Sequence, residues 1–337
     1  MKVAVVILNF NGRHFLQQFL PGVIAHSSNA TVFVADNGST DDSVALVKRQ
    51  FPQVQLIELR TNLGFCGGYN EALRQVAAEY FVLLNSDVEV TTAWLEPIIT
   101  LLDTHPTVAA AQPKILAFHQ RTHFEYAGAA GGYLDWLGYP LCRGRVFDVT
   151  ERDEGQYNQA QPVFWATGAC LVIRAKCYHE MGGLDTDFFA HMEEIDLCWR
   201  LRRNGYLVYV QPASVVYHVG GGTLATQNPQ KTYYNFRNSL SLLVKNLRMR
   251  VLIPVLIVRA VLDAVACFRF ALMGNGQHAM AVAKAYQHFF WRLPSELRKR
   301  QAYEWLPFIK NDPLVLPQSV VFAFFVRGRK KYSELVN

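Results

Sequence analysis

The chain has 337 residues, of which 51% are apolar and 18% charged, a composition that excludes wholesale disorder. This length suits one large domain with a smaller second unit. The net charge of +6 favours an anionic partner, and nucleic acid or an anionic membrane face would each supply one.

The six cysteines include no Cys-x-x-Cys pair, and several lie inside apolar runs, where a free thiol behaves as a small hydrophobic group. We therefore expect reduced thiols and a cytoplasmic protein. The first apolar run, residues 3–8, is too short for a secretion signal, and no small-residue cleavage site follows it. We interpret this run as a buried strand.

The amino-terminal third alternates between apolar runs and helical patterns. Continuous apolar runs predict strands buried on both faces, and apolar residues at helical spacing predict amphipathic helices. The predicted strands cover residues 3–8, 31–35, 54–59, 81–84 and 107–111, and the predicted helices cover 15–20, 44–48, 72–77 and 94–102. This alternation is typical of an α/β sheet.

Two carboxylates in this region follow strands. Asp36 and Asp87 come at or just beyond the carboxyl ends of predicted strands, where open α/β sheets bind their ligands. Asp36 is either a turn residue or an acceptor for the ring N3–H of uracil or thymine, a donor that cytosine and adenine lack. Asp87 is either part of a plain polar strand end or a ligand-binding group, which we expect to be presented rather than packed.

A glycine-rich segment, residues 62–70, opens the third predicted helix. Backbone amides at such a turn can approach an anion. The pattern alone is weak, because similar loops serve chain reversal. It also differs from the dinucleotide fingerprint, which would follow the first strand.

The next part of the chain is less periodic. We predict a long loop over residues 116–154 and assign it to the acceptor side. Residues 162–174 predict one strand, with a middle of small residues against which another group can pack. After a predicted helix over 190–203, residues 206–210 and 214–218 predict two short strands.

Three carboxylates, Glu193, Glu194 and Asp196, fall in the first turn of the predicted helix over 190–203. Acids are favourable at a helix amino end, so they could simply complement the helix dipole. Crowded carboxylates also raise one another's proton affinity, which suits a general base. His218, at the end of the last predicted strand, is either a structural residue or a metal ligand.

In their order along the chain, these segments resemble the nucleotide-binding half of the family 2 glycosyltransferases, in particular the rhamnosyltransferase-like subgroup. Residues 7–11 and 35–42 resemble the family's base-binding pair, and 62–70 resemble its segment beside the diphosphate and donor sugar. Residues 85–87 resemble its aspartate-x-aspartate motif, with Asn85 in place of the first aspartate. The resemblance implies donor-binding roles for Asn9, Asn11, Asp36, Asn62, Gly64, Asn85 and Ser86.

Residues 193–196 resemble the family's glutamate-aspartate-x-aspartate motif, whose second acid deprotonates the acceptor hydroxyl. The resemblance therefore implies Glu194 as the catalytic base, with one methylene more than the family's aspartate. Residues 218–221 resemble a histidine-x-x-glycine segment whose loop closes over the donor. This implies Asp87 and His218 as ligands of Mn²⁺ or Mg²⁺. We assign Gly168, Glu193 and Asp196 to the acceptor side.

The resemblance implies a GT-A fold, a Rossmann-like mixed α/β sheet, in a catalytic domain that we predict over residues 1–238. It also implies inverting transfer from a UDP- or dTDP-sugar to a saccharide hydroxyl in cell-surface polysaccharide assembly. One alternative is a sugar-1-phosphate nucleotidyltransferase, which would need a glycine-rich, arginine-bearing loop after the first strand. The other is a non-catalytic saccharide-binding relative.

Residues 239–337 predict a C-terminal α-helical extension, in which apolar helices precede basic clusters at 248–250, 298–300 and 327–331. This pattern is typical of interfacial membrane helices, and the charges of Arg259 and Asp263 argue against a simple span. We expect a peripheral protein on the inner face of the cell membrane, with a lipid-linked saccharide acceptor and no nucleic-acid partner. The alternative is an extension packed on the catalytic domain or in a homodimer.

Overall fold

The computed structural model describes residues 1–220, 228–303 and 311–336. Within these ranges, one large mixed sheet forms the centre of the molecule and a smaller sheet lies beside it. The strands are β1 (Val3–Asn9), β2 (Thr31–Asp36), β3 (Gln55–Glu58), β4 (Tyr80–Asn85), β5 (Val88–Val90), β6 (Val108–Ala117), β7 (Gly132–Asp135), β8 (Pro140–Cys142), β9 (Arg145–Val146), β10 (Val149–Thr150), β11 (Gln161–Val163), β12 (Cys170–Arg174), β13 (Leu207–His218) and β14 (Val315–Leu316).

Helices connect and cover these strands, and the acids predicted at a helix amino end do begin one. The helices are α1 (Arg13–Ala25), α2 (Ser43–Gln50), α3 (Gly64–Leu73), α4 (Glu96–Thr104), α5 (Ala175–Glu180), α6 (Glu193–Arg203), α7 (Pro229–Asn246), α8 (Met249–Leu272), α9 (Gly276–Ala302), α10 (Val320–Phe325) and α11 (Tyr332–Val336). A single 3-10 turn in the described residues, Thr186–Phe188, precedes α6.

The large sheet has the order β11-β13-β6-β12-β4-β1-β2-β3, with β5 paired to β13. Strands β3, β2, β1 and β4 are parallel, because helices return the chain between them. Strand β12 is antiparallel to both β4 and β6, and β13 is parallel to β6. The prediction of a mixed, Rossmann-like α/β sheet is confirmed.

Both faces of the sheet are buried, which explains the continuous apolar runs of the parallel strands. In β1, Val5 and Ile7 pack in a core under α1, α2 and α4, whereas Ala4 and Val6 pack in a second core under α3, α5 and α6. Because successive side chains of a strand point to opposite faces of the sheet, β1 contributes residues to both cores.

Three of the predicted elements were wrong. Residues 116–154 are not one long loop, since they contain β7 to β10 of the small sheet, which β14 completes from the C-terminal region. The strand predicted over 162–174 is two strands, β11 and β12, separated by residues 164–169. The two strands predicted over 206–218 are one strand, β13, with an irregularity between Gln211 and Val215.

The C-terminal helices pack on the preceding residues along one side. Arg259 and Asp263 lie inside this contact, where the Arg259 guanidinium covers the Tyr139 ring at 3.9 Å from its centroid. Asp263 accepts hydrogen bonds from the hydroxyls of Tyr139, at 2.9 Å, and Tyr286, at 2.7 Å. The boundary predicted between residues 238 and 239 falls within α7, so a division into two domains at that point stays a prediction.

Candidate active site

The carboxyl ends of β1, β2 and β4 lie side by side. Asn9 is in register with Asp36, and Leu8 with Asn85. The buried Asp36 carboxylate accepts hydrogen bonds from Asn9 Nδ2 at 3.0 Å and from the Ser39 backbone N–H at 2.9 Å, one on each oxygen. Each carboxylate oxygen can accept a second hydrogen bond, so Asp36 is fixed in orientation and still able to bind a donor.

The turns that follow the paired strands β1 and β4 lie close together. Asn9 Oδ1 is buried without a hydrogen-bond partner, and it would lie 2.5 Å from a Cβ at Gly12. The same position at Gly12 lies 3.5 Å from Ser86 Oγ. Asn11 has a different role, because its Oδ1 accepts the Thr40 backbone N–H at 2.8 Å and shapes the loop.

Side-chain amides hold the glycine-rich turn at the start of α3 in place. Asn62 Oδ1 accepts Asn37 Nδ2 at 3.1 Å and the Gly64 backbone N–H at 2.9 Å. Gly64 has φ 71°, and a Cβ there would lie 2.5 Å from the Phe189 ring. Only glycine suits this position, because of both the backbone conformation and the close ring.

Asp87 is packed, contrary to our expectation that it is simply presented. Asp87 Oδ1 lies 3.2 Å from His218 Nε2, and His218 Nδ1 lies 3.2 Å from Glu125 Oε2, with all three side chains buried. Burial alone would lower the pKa of His218, but the adjacent carboxylates of Asp87 and Glu125 raise the pKa to about 10. Burial would raise the pKa of Asp87, but the bond and charge of His218 bring it below its ordinary value.

Glu125 is the member of this cluster that the sequence did not predict. It belongs to residues 116–154, where no periodic pattern marks a site, and an acid between Phe124 and Tyr126 is too common a pattern to indicate a ligand. Its contact with Nδ1 orients the His218 ring, as a carboxylate behind a metal-binding histidine does. The prediction that the segment after His218 closes over the donor falls largely on residues 221–227, which lie outside the described residues.

The spacing of Asp87 and His218 fits two ligands of one divalent cation. Adjacent ligands of an octahedral ion, each about 2.1 Å from it, lie about 3.0 Å apart. The separation of 3.2 Å between Asp87 Oδ1 and His218 Nε2 is that of an ion pair and is also close to this value, so a cation bound here would replace the proton on Nε2. No group of three or more His, Cys, Asp or Glu side chains forms a metal site in the described part of the chain. Mg²⁺-type sites commonly have only one or two protein ligands and complete their shell with substrate phosphates and water.

Glu193 and Glu194, at the amino end of α6, form a second acidic site. Each has an Oε2 atom that is buried without a hydrogen-bond partner. Burial raises the pKa of Glu194 to about 7, and burial together with the charge of Glu194 raises the pKa of Glu193 further above its ordinary value. A Glu194 carboxyl with a pKa near neutrality suits a base at neutral pH, and Glu193, whose pKa is also raised, titrates together with it.

Gly168, which we assigned to the acceptor side, lies beside this pair, since a Cβ there would lie 3.8 Å from Glu193 Oε1. Its acceptor-side role stays a prediction. Asp196 does not join the pair. Its fully buried carboxylate binds Arg200 at 2.9 Å, Lys245 at 2.8 Å and Asn246 at 3.0 Å. Asp196 lies two residues beyond Glu194 and therefore on a different side of α6, where its partners are buried, so it fixes the helix rather than facing an acceptor.

Acidic groups at adjacent ends of parallel strands, together with two acids of raised pKa at the start of α6, suit nucleotide binding and proton transfer. Residues 4–180, more than half of the chain, match the family model "Glycosyl transferase family 2". The chain therefore belongs to this family of glycosyltransferases.

Individual relatives agree with this assignment. An N-acetylglucosaminyl-diphospho-decaprenol L-rhamnosyltransferase of Mycobacterium tuberculosis is 26% identical over 236 residues, which cover 65% of this chain and 76% of that protein. Among solved structures, GalNAc-T7 with UDP, GalNAc and Mn²⁺ matches with a TM-score of 0.59 at 14% identity, over 74% of this chain and 48% of that chain. The Pyrobaculum calidifontis mannosyltransferase PcManGT with GDP-Man and Mn²⁺ gives 0.53 at 16% identity, over 90% and 84%. The GT-A fold is thus confirmed.

Proposed function

We propose that the protein is an inverting, metal-dependent glycosyltransferase that transfers a sugar from a UDP- or dTDP-sugar to a saccharide hydroxyl. The observation that carries the proposal is the pair of separate sites, one at the ends of β1, β2 and β4 and one at the start of α6. Asp36 would bind the pyrimidine ring, and Asp87 with His218 would hold Mn²⁺ or Mg²⁺. A divalent cation there would supply positive charge for the leaving diphosphate.

The chemical step requires a general base that removes the proton of the acceptor hydroxyl. Glu194, as carboxylate, accepts the proton of the acceptor hydroxyl while that oxygen bonds to the anomeric carbon and the bond from that carbon to the diphosphate breaks. Attack from the face opposite the leaving group inverts the anomeric centre. The neighbouring Glu193 is buried, and its pKa is raised by burial and by the charge of Glu194.

The first test is donor recognition. Thermal-shift and calorimetric titrations of UDP, dTDP, CDP, GDP and ADP with Mn²⁺ should give binding for UDP or dTDP and much weaker binding for the others, because Asp36 requires a ring N3–H that faces it. GDP binding as tight as both UDP and dTDP would contradict the proposed role of Asp36.

We predict that Asp36→Asn weakens UDP or dTDP binding by about 1.5 to 3 kcal/mol, the range for a hydrogen bond to a charged group. The amide keeps the side-chain shape but replaces one of two acceptor oxygens by an NH₂ donor, and Asn9 and Ser39 already donate to one oxygen each, so an acceptor for the pyrimidine N3–H is lost. Asp42→Asn is the matched control, because Asp42 is exposed at the start of α2 and caps no backbone group with its side chain. Equal affinities for the two variants by calorimetry would count against the assignment.

For the acceptor, we propose a lipid-linked saccharide met at the inner face of the membrane. The Mycobacterium tuberculosis relative is named for an acceptor of this kind, a diphospho-decaprenol-linked sugar. Binding of such an acceptor does not require the protein to form a homodimer, and the homodimer stays a prediction.

The surface of α8 supports this placement. Among the described residues, α8 is the one helix with the length and hydropathy to cross a membrane. Its inner face carries Arg259 and Asp263 against the protein, so the helix does not stand free. Its outer face is an apolar stripe whose members recur every three or four residues and are each more than half exposed: Ile253, Ile257, Val261, Val265, Phe268 and Leu272. An apolar stripe on a docked helix is typical of interfacial binding.

The basic clusters that we predicted beside the apolar helices are only partly on the surface. In the cluster at 298–300, Lys299 pairs with Asp187 at 2.6 Å and Arg300 bonds to the Val244 carbonyl at 2.8 Å, so only Arg298 is exposed. The cluster at 327–331 is largely exposed, and it follows α10, which exposes Phe322 and Phe325. The Arg269 guanidinium of α8 lies 5.0 Å from the Phe325 ring centroid, which joins α10 to the α8 stripe.

We expect the triple variant Ile257→Gln, Val261→Gln, Val265→Gln to lose sedimentation with phosphatidylglycerol vesicles. Each side chain contributes about 1.5 to 3 kcal/mol when fully buried, and the glutamines preserve helix propensity. Leu207→Gln, an exposed apolar position on β13, is the control and should sediment like the wild type. Binding should weaken at high salt, because part of it comes from basic residues. A wild-type chain that stays in the supernatant with these vesicles would refute membrane docking.

A further inference from the structure

The segment that leads into α6 has an unusual backbone. Phe189, His191 and Met192 have φ values of 65°, 68° and 73°, a region that residues with a Cβ avoid. Glu193 and Glu194 follow directly, so the position of both carboxylates depends on this segment. Met192, at the N-cap position of α6, makes no side-chain capping bond. Such a backbone persists only when its surroundings hold it in place.

Two neighbouring side chains of α7 hold the segment by its carbonyl groups. Asn238 Nδ2 donates to the carbonyls of Phe188, Ala190 and His191 at 3.0, 2.9 and 2.7 Å. Arg237 Nη2 donates to the carbonyls of Asp187 and Phe188 at 2.8 and 3.0 Å. The Arg237 Nε also donates to Asn238 Oδ1 at 2.8 Å, which fixes the amide with its donors toward the segment. We call Arg237 and Asn238 the carbonyl clamp.

The opposite side of the segment touches the donor region. The Phe189 carbonyl accepts the backbone N–H groups of Phe65 and Cys66 at 2.9 and 3.3 Å, in the first turn of α3. The Phe189 ring covers Gly64 and stacks on Tyr234 of α7, with 5.6 Å between centroids. The segment is thus fixed between the glycine-rich turn at Gly64 and α7.

We propose that Arg237 and Asn238 are positioning residues: by holding the carbonyls of residues 187–191 against the glycine-rich turn, they set where Glu194 stands relative to the bound donor. This inference rests on the proposed role of Glu194 as the base. The clamp makes α7 part of the catalytic machinery, although neither of its side chains is required to touch a substrate. A packing role alone would predict lost stability without a specific loss of turnover.

The test compares two buried asparagines of α7. Asn238→Ala removes the clamp amide, and Asn246→Ala removes an amide that bonds to Asp196 and the Leu242 carbonyl instead. Asn238→Asp is a third variant, isosteric with the wild type but without amide donors. Each protein is measured for hydrogen exchange of residues 187–194 and for UDP affinity with Mn²⁺ by calorimetry. Turnover is measured as kcat for nucleotide release, that is, UDP from UDP-sugars and dTDP from dTDP-sugars.

We expect Asn238→Ala and Asn238→Asp to speed exchange across residues 187–194 and to lower kcat by about 10- to 100-fold, the cost of misplacing a catalytic group by about 1 Å. Nucleotide affinity should change little, because the lost interaction positions the general base Glu194 and not the nucleotide. Asn246→Ala should leave exchange in this segment and kcat near those of the wild type. Wild-type exchange in Asn238→Asp, or an equal fall of kcat in Asn246→Ala, would overturn the inference. The exchange measurement needs no turnover, so it tests the clamp even if the wild type releases no nucleotide. A wild type that releases no nucleotide would contradict the proposed function, not the clamp.

Discussion

Glu194→Gln should lower kcat by about 10²- to 10⁴-fold, the usual contribution of a general base, and should leave donor affinity unchanged. Glutamine keeps the size of the side chain but cannot accept the acceptor's proton. The rate of the wild type should rise with pH as Glu194 loses its proton near its raised pKa of about 7. Glu194→Gln should lose this acid limb, which a pH profile of kcat/KM would show directly.

The matched control is Glu193→Gln. Burial and the charge of Glu194 raise the pKa of Glu193, so an uncharged amide suits its surroundings, and because the variant keeps Glu194 the loss of kcat should be smaller. The acid limb should remain in this variant, because Glu194 still titrates. If Glu193→Gln is the more damaging of the two changes, the roles are reversed. If both variants keep most of the wild-type rate, the base lies elsewhere.

Asp87→Asn should abolish the metal-dependent part of donor binding. The change removes the charged ligand next to His218 and leaves an amide that offers a hard cation far less. Calorimetry of UDP with Mn²⁺, and with EDTA in place of the metal, measures the metal-dependent part for each protein. Asn85→Ala should lose less, because the residue it replaces is already neutral. In the wild type, EDTA should reproduce the loss seen in Asp87→Asn.

A control near the same strand end separates this effect from general damage. Glu89→Gln removes a carboxylate two residues away whose partner is Arg121, at 2.9 Å, at the protein surface. It should bind UDP and Mn²⁺ like the wild type. Equal losses in Asp87→Asn and Asn85→Ala, or UDP binding that is indifferent to EDTA, would show that Asp87 does not act through a metal.

Much of the donor half of the site could be predicted from the sequence, because it depends on local patterns. A buried strand followed by a polar turn and an amphipathic helix is a short-range signal, and the carboxyl ends of parallel strands meet by construction. Asp36 and Asn9 therefore lie in contact, as do the segments around Gly12 and Ser86. The α/β class and the family follow from this same order of segments.

The contacts of the site that could not be predicted from the sequence join residues that are distant in the chain. The second acidic neighbour of His218, besides Asp87, is Glu125, from a stretch without periodicity. The segment before Glu193 is held by Arg237 and Asn238 from α7. Neither relation has a local signature, because long-range hydrogen bonds between side chains and backbone impose no pattern on the sequence.

By itself, the sequence determined the sheet, its covering helices and which acids stand at strand and helix ends, since period and polarity are local properties of a chain. Only the tertiary structure decided which of those acids act together. Asp196 follows Glu194 by two residues, yet the helical turn points it inward to Lys245 and Arg200, while Glu193 and Glu194 keep unpartnered oxygens. It likewise decided that α8 turns Arg259 and Asp263 inward and an apolar stripe outward, because burial depends on which neighbours cover each face of a helix.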